Sequence, residues 1–444
     1  MSPEEERLDM DSIHLFDYLK KEIPVDDLKD FASPRRIKSI DFVKGLAIIF
    51  VILAHTASAW LDFQWIYLYG IMYALLDILG PSLFVFLSAL SVIFSVRRKE
   101  GVLPQKVIRN GIITRGIVIM VIGILFNIPS TFLLGIEGGI INLWNWNILV
   151  FIGFSQIASL YAFKLSKTAR AIIGTAIIFS SDAIRLFLYV GEQDGNILIT
   201  IIRYIVVSPN PMTPLIPFLS ICFFSTIFGE YLYDAMMDGT KQAYTVLFRI
   251  FLYWGISLIL IGIIYPFIGG TPLQDFTTLS HIDYPHLDLL ATANTQTFTD
   301  FRFSGMPDFL IRGRSSNMLY NLGWALLIIA ICFYFIDIKE KSNSFTGMLI
   351  YYGKVSLSLF LVHYSFISLF VRYFNILFFV FIWLGFTGLM GFLMYIWIEY
   401  GKGVGSPEWL MVQISRIGQK TTHEIKKETQ LIVDRIKKEH SKES

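Results

Sequence analysis

The first long apolar segment of the chain contains three ionisable residues, Asp41, Lys44 and His55. In a helix turning about 100° per residue, the step from Lys44 to His55 brings both onto one face, roughly 16 Å apart along the axis, and Asp41 falls within about 60° of that face. Ionisable groups in an apolar segment are costly and indicate function. The face therefore presents an acid, a base and an imidazole that can exchange a proton near neutral pH.

Each of these residues also has a structural explanation. Asp41 would cap the helix or pair with Lys44, Lys44 would extend to the membrane interface, and His55 would anchor the outer helix end. His363, in the run LFLVHYSF, is either part of a site or a histidine hydrogen-bonded to a neighbouring helix. Both alternatives stay open at this point.

Composition assigns the chain to membrane proteins. Of its 444 residues, 54% are hydrophobic and 16% are charged, and the mean hydropathy is +0.59, which is outside the range of soluble globular domains. The formal net charge of +2 gives no reason to expect a nucleic-acid partner. Cys222 and Cys332 lie in apolar runs and are interpreted as packing residues.

The apolar runs predict an all-α polytopic membrane protein, a bundle of about ten transmembrane helices. Each run is long enough to cross a hydrocarbon core of roughly 30 Å. A kink is expected at Gly80-Pro81 in the second run. The predicted spans are 40–60, 68–96, 111–128, 146–164, 169–190, 213–234, 245–268, 316–337, 354–371 and 374–398.

Basic residues alternate from loop to loop, which orients the bundle because lysine and arginine are retained on the cytoplasmic side. This pattern predicts cytoplasmic N- and C-termini, an acidic segment 1–34, a membrane domain 35–400 with an outer loop at about 269–315, and a basic tail 401–444. The plasma membrane is the expected location. The basic residues that set the orientation are Lys29, Arg35, Arg36, Lys38, Arg97, Arg98, Lys99, Lys106, Arg109, Lys164, Lys167, Arg170, Lys241, Lys339, Lys341 and Lys354.

The outer loop contains further polar residues. His281, Asp283, His286 and Asp288 have spacings that are poor for a metal site, so a polar loop without metal is predicted. Three loop arginines would either contact an anionic acceptor or be solvated. They are Arg302, Arg312 and Arg314.

The run DFVKGLA at 41–47, followed by His55, resembles the opening signature of a membrane acyltransferase superfamily. That superfamily includes the acyltransferase 3 family and the heparan-alpha-glucosaminide N-acetyltransferase family, and the resemblance to the latter is closer. Lys44 stands where arginine is commoner. Further similar runs, in the same order, are GPSLFVFLS at 80–88, NIL at 147–149, PLIPF at 214–218, GKVSL at 353–357 and SPEWL at 406–410.

The resemblance implies an enzyme that moves an acyl group, expected to be acetyl, from cytoplasmic acyl-CoA to an amine or hydroxyl of a glycan or lipid acceptor on the outer side. Acetyl-CoA would be a substrate, with no permanently bound cofactor and no metal. The bilayer is the remaining partner, and the oligomeric state is left open. An alternative function is a multi-span secondary transporter of a small solute, since polar groups on one helix face also suit a substrate path.

The resemblance also suggests roles for individual residues. His55 would act as the base or carry the acyl group, and Asp41 would orient Lys44. Lys44, Arg35 and Arg36 would offset the charge of the CoA phosphates. Two more residues are candidates for substrate binding, namely His363 and Ser88.

Overall fold

The computed structural model describes residues 37–100, 104–133, 143–209, 213–274, 284, 290, 305–410 and 413. These residues form an all-α membrane fold, as predicted, apart from one antiparallel pair of two-residue strands, β1 (Leu273–Gln274) and β2 (Met306–Pro307). The helices are α1 (Lys38–Trp60), α2 (Ile66–Leu76), α3 (Pro81–Lys99), α4 (Gln105–Leu133), α5 (Ile148–Ala162), α6 (Lys167–Gln193), α7 (Ile197–Val206), α8 (Leu215–Asp238), α9 (Lys241–Ile268), α10 (Ser315–Phe333), α11 (Ser344–Lys354), α12 (Ser356–Tyr364) and α13 (Ile376–Glu399).

Within the described residues, eight helical segments are long and apolar enough to cross a membrane, and they coincide with eight of the ten predicted spans. The predicted span 146–164 is a helix of only 15 residues, α5. The predicted span 354–371 overlaps α12, the second half of a helix pair with α11 that is bent by 75°. This pair would make a ninth span. The segment between the predicted spans 169–190 and 213–234 contains the short helix α7.

The second span is interrupted, as the Gly80-Pro81 pair predicts. After α2 the chain makes one 3₁₀ turn at Asp77–Leu79, passes through Gly80 and starts α3 at Pro81. Proline suits this first helical position because it has no backbone N–H to leave unpaired. A polar carboxylate, Asp77, is therefore placed at a break within an apolar span.

Two polar contacts join helix ends on one side of the bundle. The start of α1 meets the end of the span that begins at Ser315, where the Asp337 carboxylate accepts hydrogen bonds from the backbone N–H groups of Lys38 and Ser39 at 3.1 Å each. Buried Arg170, at the start of α6, pairs with Glu230 near the end of α8 at 2.8 Å. All of these ends share the side that the basic-residue pattern assigns to the cytoplasm.

The main core packs α3, α8 and α10 against one another through fully buried Phe86, Phe218 and Met318. In contrast, α13 presents large apolar side chains outward, with Leu377 74% and Phe381 73% exposed. Such a face suits contact with lipid chains. The core helices are therefore the ones positioned to hold a site in the interior.

Candidate active site

Two histidines meet near the C-terminal end of α1. His55 Nδ1 lies 3.0 Å from Nε2 of His363 in α12, and the two rings are nearly parallel, with 17° between their planes. His363 is fully buried, and His55 is half-buried. A residue of the first span is thereby joined to the helix pair near the end of the membrane domain.

A backbone carbonyl fixes which nitrogens carry protons. Nδ1 of His363 lies 2.8 Å from the carbonyl oxygen of Leu359, and a carbonyl oxygen only accepts, so Nδ1 of His363 carries the hydrogen. In a neutral His363, Nε2 then accepts the Nδ1–H of His55. Consequently Nε2 of a neutral His55 keeps its lone pair, which is the arrangement a general base requires.

Two glycines bring α1 into close contact with α11, the helix that precedes the one containing His363. A Cβ on Gly45 would lie 1.8 Å from the carbonyl oxygen of Leu349, and a Cβ on Gly353 would lie 1.8 Å from that of Asp41. No side chain fits in either place, so α1 and α11 approach at backbone distance. The 75° bend after α11 then directs α12, with His363, along the C-terminal half of α1.

The start of α12 is held by a carboxylate from the segment that follows α13. Glu408 accepts hydrogen bonds from the backbone N–H of Ser358, at 2.9 Å, and from its hydroxyl. A carboxylate at a helix N-terminus satisfies free N–H groups and complements the helix dipole. Burial raises the pKa of Glu408 above its ordinary value, although the bonds from Ser358 oppose the shift.

Aromatic side chains surround the His55 imidazole. Phe360 and Tyr364 of α12 contact its ring edge-on, with centroids at 6.0 and 5.4 Å, and Phe126 of α4 packs behind both. On another side, the hydroxyl of Tyr69 donates to the carbonyl oxygen of Ala54 at 3.0 Å. Such rings limit water around the imidazole and strengthen electrostatic interactions there.

A buried ion pair lies at the break in the second span. Arg312 donates from Nε to Oδ1 of Asp77 at 2.8 Å, and Asn321 donates to Oδ2 at 2.9 Å. The Arg312 guanidinium also lies over the Tyr73 ring, 4.6 Å from its centroid. Burial alone would lower the pKa of Arg312, but the Asp77 carboxylate outweighs burial and keeps that pKa raised.

The family model for the catalytic region of heparan-alpha-glucosaminide N-acetyltransferase matches residues 36–266, more than half of the chain. The chain belongs to this family. It is therefore a membrane acetyltransferase of this family, integral to the bilayer and multi-pass. No curated protein and no solved structure gives a significant match.

The residues matched by the family model include His55 but end before His363. The hydrogen-bond partner of His55 in this family member is therefore shown by the structure and lies outside the matched region. Asp41 is buried and Lys44 half-buried where α1 crosses α11, about 21 Å and about 16 Å of helix rise from His55, respectively. Ser88 accepts a hydrogen bond from Gln156 at 3.3 Å. The site roles predicted for these residues stay predictions.

Several residues of the sequence-based hypotheses lie outside the described residues, namely Arg35, Arg36, His281, Asp283, His286, Asp288 and Arg302. Arg312 and Arg314 are described, and a solvated loop was the wrong alternative for both. Arg312 pairs with Asp77, and Arg314 Nε donates to Asp308 at 2.9 Å. Sequence analysis missed Asp77 and the contact made by Glu408. The Gly80-Pro81 break was the one signal that pointed near Asp77.

Proposed function

We propose that this family member transfers an acetyl group from cytoplasmic acetyl-CoA to an amine or hydroxyl of a glycan or lipid acceptor on the outer side of the membrane. Family membership supports the acetyl transfer. The observation that carries the proposal is the 3.0 Å contact between His55 and His363, with His363 held by the Leu359 carbonyl. This chain of hydrogen bonds leaves one His55 nitrogen free to take a proton.

In the proposed reaction, the acceptor N–H or O–H loses its proton to Nε2 of His55 as the acceptor atom attacks the thioester carbonyl. The resulting tetrahedral intermediate carries one negative charge on oxygen. Its collapse breaks the carbon–sulfur bond, and the CoA thiolate takes the proton back from His55. The products are acetylated acceptor and free CoA thiol. Attack by His55 itself, giving an acetyl-imidazole that the acceptor then cleaves, is the second route.

The donor would enter from the cytoplasmic side. Lys44 lies between that side and His55, so its ammonium would be placed for the CoA phosphates and not for the reacting carbon. Arg35 and Arg36 precede α1 in the sequence and would add positive charge there. Asp41, one turn before Lys44, would orient it. His363 would position His55, and Ser88 is kept as a candidate for contact with the donor.

The acceptor would approach from the outer side, where His55 sits near the end of α1. The plasma membrane is the proposed location, and the oligomeric state stays open. A glycan or a glycolipid with a free amine or hydroxyl would present the nucleophile to Nε2 of His55. No nucleic-acid partner is proposed.

Proteoliposomes in which the protein has one known orientation test this function. With protein of known orientation, acetyl-CoA is added only to the side of the α1 start, and amino sugars or glycolipids are supplied on the other side. Acetylated acceptor together with an equal amount of free CoA thiol is expected. Acetylation only when donor and acceptor share one compartment would contradict the proposed sidedness. Solute movement without thiol release would favour the transporter.

A further inference from the structure

The break in the second span leaves a helix N-terminus inside the membrane. α3 starts at Pro81, directly after Gly80, and runs toward the end that contains Arg97. The first N–H groups of a helix have no partner within it and carry a partial positive charge. The start of α3 therefore directs hydrogen-bond donors toward the outer half of the bundle, where His55 and His363 lie.

A serine hydroxyl at this helix start has no partner among the described residues. Ser82 is 2% exposed, and its Oγ makes no hydrogen bond there. Helix side chains tilt toward the N-terminus, so this hydroxyl lies beside the free N–H groups of the first turn. A buried hydroxyl without a partner costs free energy and calls for a role beyond packing.

The start of α3 is close to Arg312 and to the hydrophobic cluster that includes part of α12. A Cβ on Gly80 would lie 3.6 Å from Nη2 of Arg312. Arg312 lies over the ring of Tyr73, which packs against Tyr69, and the Tyr69 hydroxyl bonds to the carbonyl oxygen of Ala54, next to His55. Phe84, in the first turn of α3, packs in the cluster that contains Leu359 and Phe360, which precede His363 on α12. The start of α3 thus packs against a cluster to which α12 also contributes.

Nε and Nη2 of Arg312 are engaged by Asp77, and the first N–H groups of α3 and the Ser82 hydroxyl are further donors at this point. We propose that Ser82 and the start of α3 bind the thioester carbonyl oxygen of the acyl donor and stabilise the oxyanion formed on it. This inference rests on the proposed acyl transfer and names a catalytic residue for it.

The chemistry requires no additional reactant. Attack by the acceptor on the carbonyl carbon moves one electron pair onto the carbonyl oxygen, and the Ser82 hydroxyl donates a hydrogen bond to that oxygen without giving up its proton. Collapse of the intermediate restores the carbonyl and expels the CoA thiolate. Donors fixed before the reaction are effective in such a site because they need not reorganise.

Steady-state kinetics and thermal unfolding of purified full-length protein test the inference. Loss of one oxyanion donor lowers kcat by about 10²- to 10³-fold in known cases. Since the backbone donors remain, Ser82→Ala should lower kcat by about tenfold or more with little change in the KM for acetyl-CoA. Ser82→Thr keeps a hydroxyl and should recover part of the rate. Ser220→Ala is the control, since the Ser220 hydroxyl is equally buried but bonds to its own helix at Pro217.

The melting temperature separates catalysis from structure. Removing a hydroxyl without a partner should leave the melting temperature of Ser82→Ala unchanged or higher. An unchanged kcat, or a lower kcat together with a lower melting temperature, would overturn the role in oxyanion binding. If the wild-type protein releases no CoA thiol with any acceptor, the proposed function fails and this inference fails with it. Wild-type release with normal Ser82→Ala kinetics would overturn this inference alone.

Discussion

Nε2 of His363 lies 3.0 Å from Nδ1 of His55, although the two residues are 308 positions apart in the chain. The Leu359 carbonyl accepts the other ring N–H of His363, so an ordinary backbone group selects the tautomer of one imidazole and, through it, of the next. A base oriented by a second group that is itself fixed is the general arrangement of nucleophilic and general-base sites.

Changes at His363 should therefore act on turnover. His363→Leu removes the acceptor for the Nδ1–H of His55 and should lower kcat by about 10²-fold or more, with a smaller effect on KM. His363→Gln offers an amide oxygen to the same N–H and should retain more activity than the leucine variant. Steady-state kinetics of both variants checks this. Equal activity of wild type and His363→Leu would remove His363 from the mechanism.

The contact of α1 with α11 should tolerate no side chain at Gly45. Gly45→Ala places a Cβ at 1.8 Å from the Leu349 carbonyl oxygen, so the helices must separate, at a cost of about 3 kcal/mol or more. Gly347→Ala is the matched control, because nothing lies within 4 Å of a Cβ there. Thermal unfolding in detergent should show a lower melting temperature only for Gly45→Ala. Similar values for both variants would contradict the close contact.

Breaking the Arg312–Asp77 pair should destabilise the fold strongly. Arg312→Met leaves the Asp77 carboxylate, 4% exposed, without its counter-charge, which costs about 3–5 kcal/mol for a buried pair. Arg312→Met combined with Asp77→Asn should recover part of that loss. The control Arg97→Met removes a cation whose side chain is 39% exposed and should cost about 1 kcal/mol or less. Denaturant unfolding that gives equal losses for Arg312→Met and Arg97→Met would contradict the burial of the pair.

Glu408 should make stability depend on pH. Its pKa in the folded protein is raised above the ordinary value of 4.5, so the folded state holds this proton more tightly than the unfolded state. The resulting stability is fully present below pH 4.5 and is lost as pH rises through the raised pKa. The melting temperature of the wild type should therefore fall relative to that of Glu408→Gln as pH rises through that window. A difference between the two that does not change with pH would contradict the raised pKa.

Hydropathy and basic-residue counts predicted most of the membrane architecture from the sequence, because lipid imposes a minimum length and composition on a span. They could not separate α5, which is too short, from a full span. They also could not show that α11 and α12 form a bent pair. Bends of this kind depend on contacts between helices, here the carboxylate of Glu408 at the start of α12.

The site was predictable only in part. His55 was identified as a candidate because an ionisable imidazole in an apolar segment is costly and indicates function, and the same argument identified His363. Their pairing could not be predicted, because it depends on α1 and α11 meeting at Gly45 and Gly353. Glycines are common in membrane helices, and their positions in the sequence do not show which helix they will contact.

The most direct test of the central claim compares wild type with His55→Ala for release of CoA thiol from acetyl-CoA. Both proteins are purified in detergent and assayed with a panel of amino sugars and glycolipids, with acceptor-free samples as the blank. Acceptor-dependent release by wild type that is absent in His55→Ala, with equal melting temperatures, is the expected result. Release that persists unchanged in His55→Ala would contradict the role of His55 in acyl transfer.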